Sequence, residues 1–133
     1  MIVADTNLIA YFLIKSRFTP DARAVYQKDS EWIAPLLWRS ELRNVLIQSS
    51  RHELLSMDEI LSVMSCADGL MRDNAYQMDS SRVLRLAADS GCSAYDGEFV
   101  ALALDLGVHL VTEDRALIEK FKPAAVSMKT FCS

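Results

Sequence analysis

The sequence predicts an α/β protein, a three-layer α/β/α sandwich around a central parallel sheet of about five strands. Two observations predict it. Short apolar runs of strand length alternate with longer segments of helical periodicity along all 133 residues, and that alternation implies a parallel sheet covered by helices on both faces. Acids stand where predicted strands give way to helices, at Asp5 and Asp114, and ligands of such sheets bind beyond the carboxyl ends of strands.

Ile2-Val3-Ala4 is a short buried strand. Leu8 to Ile14 is too long and too continuously apolar for a typical strand and reads as a buried helix. Pro20 and Asp21 open a helix to about Lys28, and Glu31 to Pro35 is a second strand closed by proline. Residues 37–51 carry Trp38, Leu42, Val45, Leu46 and Ser49 as a helical stripe, with Glu41 on its flank rather than on the solvent face. Ser56-Met57-Asp58-Glu59 is a capping box that opens a helix to about Met71. Ala75 to Met78 is a third strand, and residues 80–90 form a helix stopped by Gly91. Ser93 to Asp96 resembles a second capping box. Its helix carries Tyr95, Phe99, Leu102, Ala103 and Leu106 as an inward stripe and ends at Gly107. Val108 to Val111 is a fourth strand, a helix follows to about Phe121, and Ala125 to Met128 is a fifth strand.

Residues 1–133 read as one domain without repeats, linkers or low-complexity tracts. Hydrophobic residues make up 51% and charged residues 24%, which is ordinary for a soluble protein. No apolar run reaches membrane-spanning length, and the N-terminus lacks the basic region of a signal peptide, so a cytoplasmic protein is expected. Cys66, Cys92 and Cys132 share no ligand spacing and read as structural thiols. A net charge of −4 argues against a reader of duplex DNA, which carries a basic face. It leaves a nuclease open, because a metal site concentrates acids.

Four acids beside apolar runs carry the chemistry: Asp5, Glu41, Asp96 and Asp114. Each has a structural explanation. Asp5 and Asp114 follow strands and precede helices, as N-caps do. Asp96 complements a helix dipole, and Glu41 has Arg39 and Arg43 nearby for an ion pair. Taken together, acids gathered from distant parts of the chain supply the oxygen ligands of a magnesium or manganese site.

Met-Ile-Val-Ala-Asp5-Thr6-Asn7, Ser40-Glu41-Leu42-Arg43-Asn44-Val45-Leu46, Tyr95-Asp96 leading into Ala101-Leu102-Ala103, and Leu110-Val111-Thr112-Glu113-Asp114 together resemble a PIN domain. Their order and the short chain are similar to the VapC-type toxin ribonucleases of toxin–antitoxin pairs. The resemblance implies a PIN-like fold and a divalent-metal-dependent endoribonuclease in which Asp5, Glu41, Asp96 and Asp114 hold one or two Mg2+ or Mn2+ ions. It also implies that Asn7 and Thr112 support the site through hydrogen bonds or metal-bound water. Gly97 departs from the alanine commoner after the third acid, and the first turn of a helix should tolerate it.

Two ions about 3.5–4 Å apart supply an attacking water, charge relief on the phosphoryl group and stabilisation of the leaving oxygen. The implied substrate is single-stranded or looped RNA, with Lys15, Arg17, Arg43 and Arg115 as candidate phosphate contacts. Trp38 and Tyr95 flank the acids but lie on apolar stripes and read as core. Glu98 and Glu113 read as solvent-facing or supporting acids, His52 as a helix-end residue and His109 as packing. The implied partners are a homodimer mate and a small antitoxin whose C-terminal arm lies along a groove near Leu36, Leu37 and Met57. A phosphatase using Asp5 as nucleophile lacks a second Asp at the position of Asn7. A non-catalytic PIN-like module is expected to lack an acid, and none is missing. A PIN nuclease of RNA processing outside any toxin pair is the remaining alternative.

Overall fold

The computed structural model describes residues 1–133. Strand β1 (Ile2–Ala4) is the middle of a five-stranded, wholly parallel sheet. Every residue of β1 and of β2 (Trp32–Pro35) is buried, as strands covered on both faces require. Val3 stands opposite Ile33 on one side and Leu110 of β4 (Leu110–Val111) on the other. The two-residue edges are β3 (Ala75–Tyr76) beside β2 and β5 (Ala125–Val126) beside β4.

From β1 the chain runs through α1 (Thr6–Leu13) and α2 (Thr19–Lys28) to β2, then through α3 (Leu37–Arg51) and α4 (Met57–Leu70) to β3. It returns through α5 (Ser80–Ser90) and α6 (Ala94–Leu106) to β4, and through α7 (Arg115–Lys120) to β5. Right-handed crossovers place α1 to α4 on one face and α5 to α7 on the other. The packing agrees, since α1 meets α2, α3 and α4, whereas α6 meets α5 and the strands β1, β2 and β4. With strand order β3-β2-β1-β4-β5, the direction of winding reverses between β1 and β4. The crevice beyond the carboxyl ends of those two strands is where such folds bind ligands; Asp5 directly follows β1, and Asp114 comes after Thr112 and Glu113 beyond β4.

The predicted strands and helices all form, with revised ends. Asp5 accepts the Thr6 N–H and so starts α1 two residues before Leu8. Helix α2 starts at Thr19, with Pro20 in its first turn. The capping box at Ser56 and Glu59 is complete, and Gly91 and Gly107 close α5 and α6 in left-handed conformation, at φ 79° and 65°. Strands β3, β4 and β5 are two residues each, shorter than expected. Residues after Val126 turn instead into α8 (Met128–Cys132), which packs on α2. Ser127 caps this unexpected helix, and Glu113 accepts the Met128 N–H at 2.8 Å.

The inward stripe of α6 needs correction. Phe99, Leu102 and Ala103 are buried as expected, but so are Gly97, Val100 and Ala101, while Tyr95 and Leu106 are exposed. Helix α6 lies between the sheet and α5, so its middle is buried on two sides and its ends project. Gly97 serves the second contact. A methyl group there would sit 3.4 Å from Val83 Cγ1 and 3.7 Å from Leu86 Cδ2 of α5, ordinary van der Waals separations.

Candidate active site

Asp5 is the N-cap of α1 and is held from two directions. Its Oδ1 accepts the Thr6 N–H at 2.8 Å, and its Oδ2 accepts the Thr112 hydroxyl at 2.7 Å. Thr6 in turn donates its hydroxyl to Glu41 Oε1 at 2.8 Å, tying α3 to the start of α1. Thr112, only 1% exposed at the end of β4, also accepts the Asp114 N–H at 3.0 Å. One line of hydrogen bonds thus runs from Glu41 through Thr6, Asp5 and Thr112 to the backbone of Asp114. Asp114 caps α7 by accepting the Leu117 N–H at 3.1 Å. Asp96 sits at the third position of α6, its N–H donated to Ser93 Oγ at 3.0 Å, and the Ser93 side chain also favours its ionised carboxylate.

The electrostatics join the four acids. Burial lifts Asp5 to a pKa of about 6, against the pull of its two hydrogen bonds and with the help of Glu41 and Asp96. Burial also raises Glu41, and Asp96 and Glu98 push it further. Asp96 is raised by burial and by Asp114, with Lys120 opposing. Asp96 is therefore the hub: repulsion links it to each of the other three.

None of the four is in an ion pair. The protein's salt bridges join the N-terminus to Asp29 and Glu31, Arg39 to Asp68, Arg82 to Asp105, and Lys122 to Glu119. The ion-pair explanation for Glu41 therefore fails, because Arg39 is engaged elsewhere and Arg43 is exposed about 200° around α3 from it.

The acids offer only hard oxygen donors, the chemistry a magnesium or manganese ion takes. As the side chains stand, no three acids, histidines or cysteines form a closed cage. Part of the reason is visible in the bonds: both Asp5 oxygens are occupied by protein donors and one Asp114 oxygen by the α7 backbone. Mutual repulsion opposes closer approach as well.

Other expectations divide. Thr112 supports Asp5 as expected, whereas Asn7 is exposed on the second residue of α1 and makes no side-chain hydrogen bond. Thr6, which was not among the expected supporting residues, donates its hydroxyl to Glu41. Its signal was a hydroxyl residue at the first position of a helix, directly after the acid. Arg115 is exposed at the start of α7, and the Arg17 guanidinium lies 4.7 Å from the Phe18 ring centre. Lys120, whose charge reaches Asp96, was not among the expected cations. Trp38 is core, but Tyr95 is 64% exposed, contrary to its placement on the inward stripe. Leu36 and Met57 are exposed and Leu37 half-buried. His52 ends α3 on the surface, and exposed His109 meets Phe131 edge-on at 6.2 Å. All three cysteines are unpaired, and no helix is long and apolar enough to cross a membrane.

No protein-family model matches the chain. The chain is similar to ribonuclease VapC3 of Pyrobaculum aerophilum, with 29% identity over 129 residues covering 95% of this chain and 98% of that protein. The crystal structure of PAE2754, also from Pyrobaculum aerophilum, superposes with a TM-score of 0.73 at 22% identity and covers 98% of this chain and 92% of its own. The α/β sandwich with its five-stranded parallel sheet is thus the fold of a solved protein, and along nearly its whole length the sequence is similar to a VapC ribonuclease.

Proposed function

We propose that this chain is a PIN-domain endoribonuclease of VapC type that hydrolyses RNA phosphodiester bonds with Mg2+ or Mn2+ and acts as the toxin of a toxin–antitoxin pair. One observation supports the reading: hydrogen bonds link Glu41, Thr6, Asp5, Thr112 and the Asp114 backbone beyond the ends of β1 and β4, and the charge of Asp96 acts on Asp5 and Glu41 as that of Asp114 acts on Asp96, with no basic side chain paired to any of the four acids. Like charges gathered without a protein counter-ion cost stability, and a divalent cation removes that cost. Similarity to VapC3 names the reaction.

Asp5, Glu41, Asp96 and Asp114 would hold the ion or ions. When bound, such ions activate water and stabilise charge on the phosphoryl and leaving oxygens. The chain's own residues do the orienting. Thr112 and the Thr6 N–H fix the Asp5 carboxylate, and the Thr6 hydroxyl turns Glu41 toward the same crevice. With Asp5 titrating near pH 6, a proton competes for this carboxylate below that pH, so metal binding and cleavage fall on the acid side.

The antitoxin arm belongs in the groove between the end of α1 and α4. Leu13, Ile14, Leu55 and Val63 line this cavity of about 470 Å3, and exposed Met57 lies on the same helix. A homodimer in the cytoplasm completes the reading.

The test is cleavage of a mixed-sequence RNA by the purified chain with Mg2+ or Mn2+. Activity should vanish with chelator and fall by at least about 100-fold in Asp5→Asn and Asp96→Asn, since even residues that only orient metal ligands are worth 10–100-fold. Full activity in either variant contradicts the assignment. A well-folded wild type that binds RNA but cuts none under any divalent ion favours a non-catalytic binding module.

A further inference from the structure

Beside the acids, α5 and α6 enclose a cavity of about 270 Å3 lined by Met78, Val83, Leu84, Ala94, Tyr95 and Glu98, with Ser80 at its rim. Tyr95 packs against no other ring of the protein, and it and Leu84 are exposed by 64% and 61%. Exposed aromatic and apolar side chains around a cavity mark a binding surface rather than a core.

Position relates this cavity to the acids. Tyr95 directly precedes Asp96, so their Cα atoms are about 3.8 Å apart. Glu98 is three residues after Tyr95 and shares its side of the helix. It is half-buried, carries no ion pair, and its charge is felt at Glu41. The cavity thus presents an aromatic face, aliphatic walls and one unpaired carboxylate, next to the place where a phosphodiester would sit. Its volume falls just below the ~300–1,000 Å3 of sites for drug-sized molecules, so it suits one planar ring system.

Unstacked RNA bases bind proteins in this way, with the ring on an aromatic side chain and the edge hydrogen-bonded. A carboxylate accepts from the exocyclic amine of cytosine, and adenine and guanine offer amines as well. Uracil presents two carbonyl oxygens around a single N–H, and those oxygens repel a carboxylate. Resting on the ribonuclease reading above, we propose that this cavity seats the base of the RNA nucleotide bound at the acids, Tyr95 stacking on the ring and Glu98 accepting from an exocyclic amine.

The experiment is an NMR titration of the methyl groups of Met78, Val83 and Leu84 with cytidine, adenosine, guanosine and uridine, run beside RNA cleavage. The three amine-bearing nucleosides should give saturable shifts, and uridine should bind at least about fivefold more weakly. Tyr95→Ala should weaken nucleoside binding about tenfold and raise the KM for RNA without lowering kcat to match, in keeping with the worth of one stacked base. Glu98→Gln should level the discrimination between cytidine and uridine. Silent methyls with every nucleoside, or equal binding of uridine, overturn the proposal. So do methyl shifts that follow protein concentration alone, which would make the cavity an interface between copies of this chain. RNA cleavage with an unaltered KM in Tyr95→Ala, together with silent methyls, overturns the base pocket and leaves the nuclease reading standing. Nucleoside binding without cleavage of any RNA overturns the nuclease reading and leaves the pocket.

Discussion

Asp5 and Asp79 do the same local job in different surroundings. Each ends an extended stretch, takes β-region backbone angles and caps a helix by accepting a backbone N–H, Asp5 from Thr6 and Asp79 from Arg82 at 3.0 Å. Asp79 is exposed, and its bond is the ordinary cap of a surface helix. Asp5 is partly buried, accepts a second bond across the sheet from Thr112, and lies within reach of the charges on Glu41 and Asp96. A cap and the proposed metal ligand are therefore compatible roles. In Asp5 the cap orients the carboxylate, and burial beside other acids makes its ionised form costly, a cost that the proposed cation would offset.

A short series of variants separates the two aspartates. The largest effect after loss of the acids themselves is expected from Thr112→Val. It keeps the shape of a buried residue but leaves Asp5 Oδ2 and the Asp114 N–H without their partner. Metal affinity, followed by calorimetry, should drop about 10–100-fold, and a urea melt should show a loss of about 1–3 kcal/mol. An unchanged metal affinity would mean that Thr112 is only structural.

Stability separates the two aspartates by sign. Because the folded pKa of Asp5 is raised from 3.8 to about 6, the folded chain holds this proton more tightly than the unfolded one. The resulting stabilisation is fully present below about pH 4 and is lost as pH rises through 6. Metal-free Asp5→Asn should therefore be more stable than wild type by on the order of 3 kcal/mol at pH 8, with the gain vanishing near pH 4. Asp79→Ala should instead lose about 1 kcal/mol and cleave RNA normally. Urea melts at the two pH values check both; a destabilised Asp5→Asn at pH 8 would mean that its hydrogen bonds outweigh its burial.

The smallest effect belongs to Gly97→Ala. The added methyl fits against Val83 and Leu86, so helix propensity alone should raise stability by up to about 1 kcal/mol, read from the thermal midpoint. A loss would show that the α5–α6 contact cannot yield at 3.4 Å.

The fold was legible where a segment's pattern had one physical solution. Ile2-Val3-Ala4 admits only a buried strand, and the Ser56 capping box and the glycines after α5 and α6 mark their helix ends on sight. Local pattern misled where two neighbours compete for one helix. The sequence of α6 suggests a single stripe through Tyr95 and Leu106, whereas packing against both α5 and the sheet buries a different set. Helix α8 escaped notice because Ala125 to Met128 reads as a strand until Ser127 caps the next turn, with Glu113 reaching the Met128 N–H from across the chain.

For the site, Asp5, Asp96 and Asp114 stood out by their positions after strands or at a helix start, Glu41 by its place on the flank of a helical stripe, and the family resemblance joined the four. Their supports were less visible. Thr6 was not singled out by sequence, and only the rotation at the start of α1 brings its hydroxyl to Glu41 while leaving Asn7 exposed. Lys120 is distant in sequence from Asp96, and its influence depends on the end of α7 lying near the α5–α6 turn, where its Nζ stands 3.6 Å from the Cβ position of Gly91.

Asp5, Glu41, Asp96 and Asp114 are proposed to act as one cation site. Calorimetric titration of Mn2+ into the wild type, into Asp5→Asn, Glu41→Gln, Asp96→Asn and Asp114→Asn, and into Asp79→Asn as the surface-cap control tests this directly. Each of the four site variants should weaken binding by at least about tenfold, with Asp96→Asn the most severe, and Asp79→Asn should match the wild type. Wild-type affinity in any of the four would remove that acid from the site, and wild-type affinity in Asp96→Asn would contradict the account.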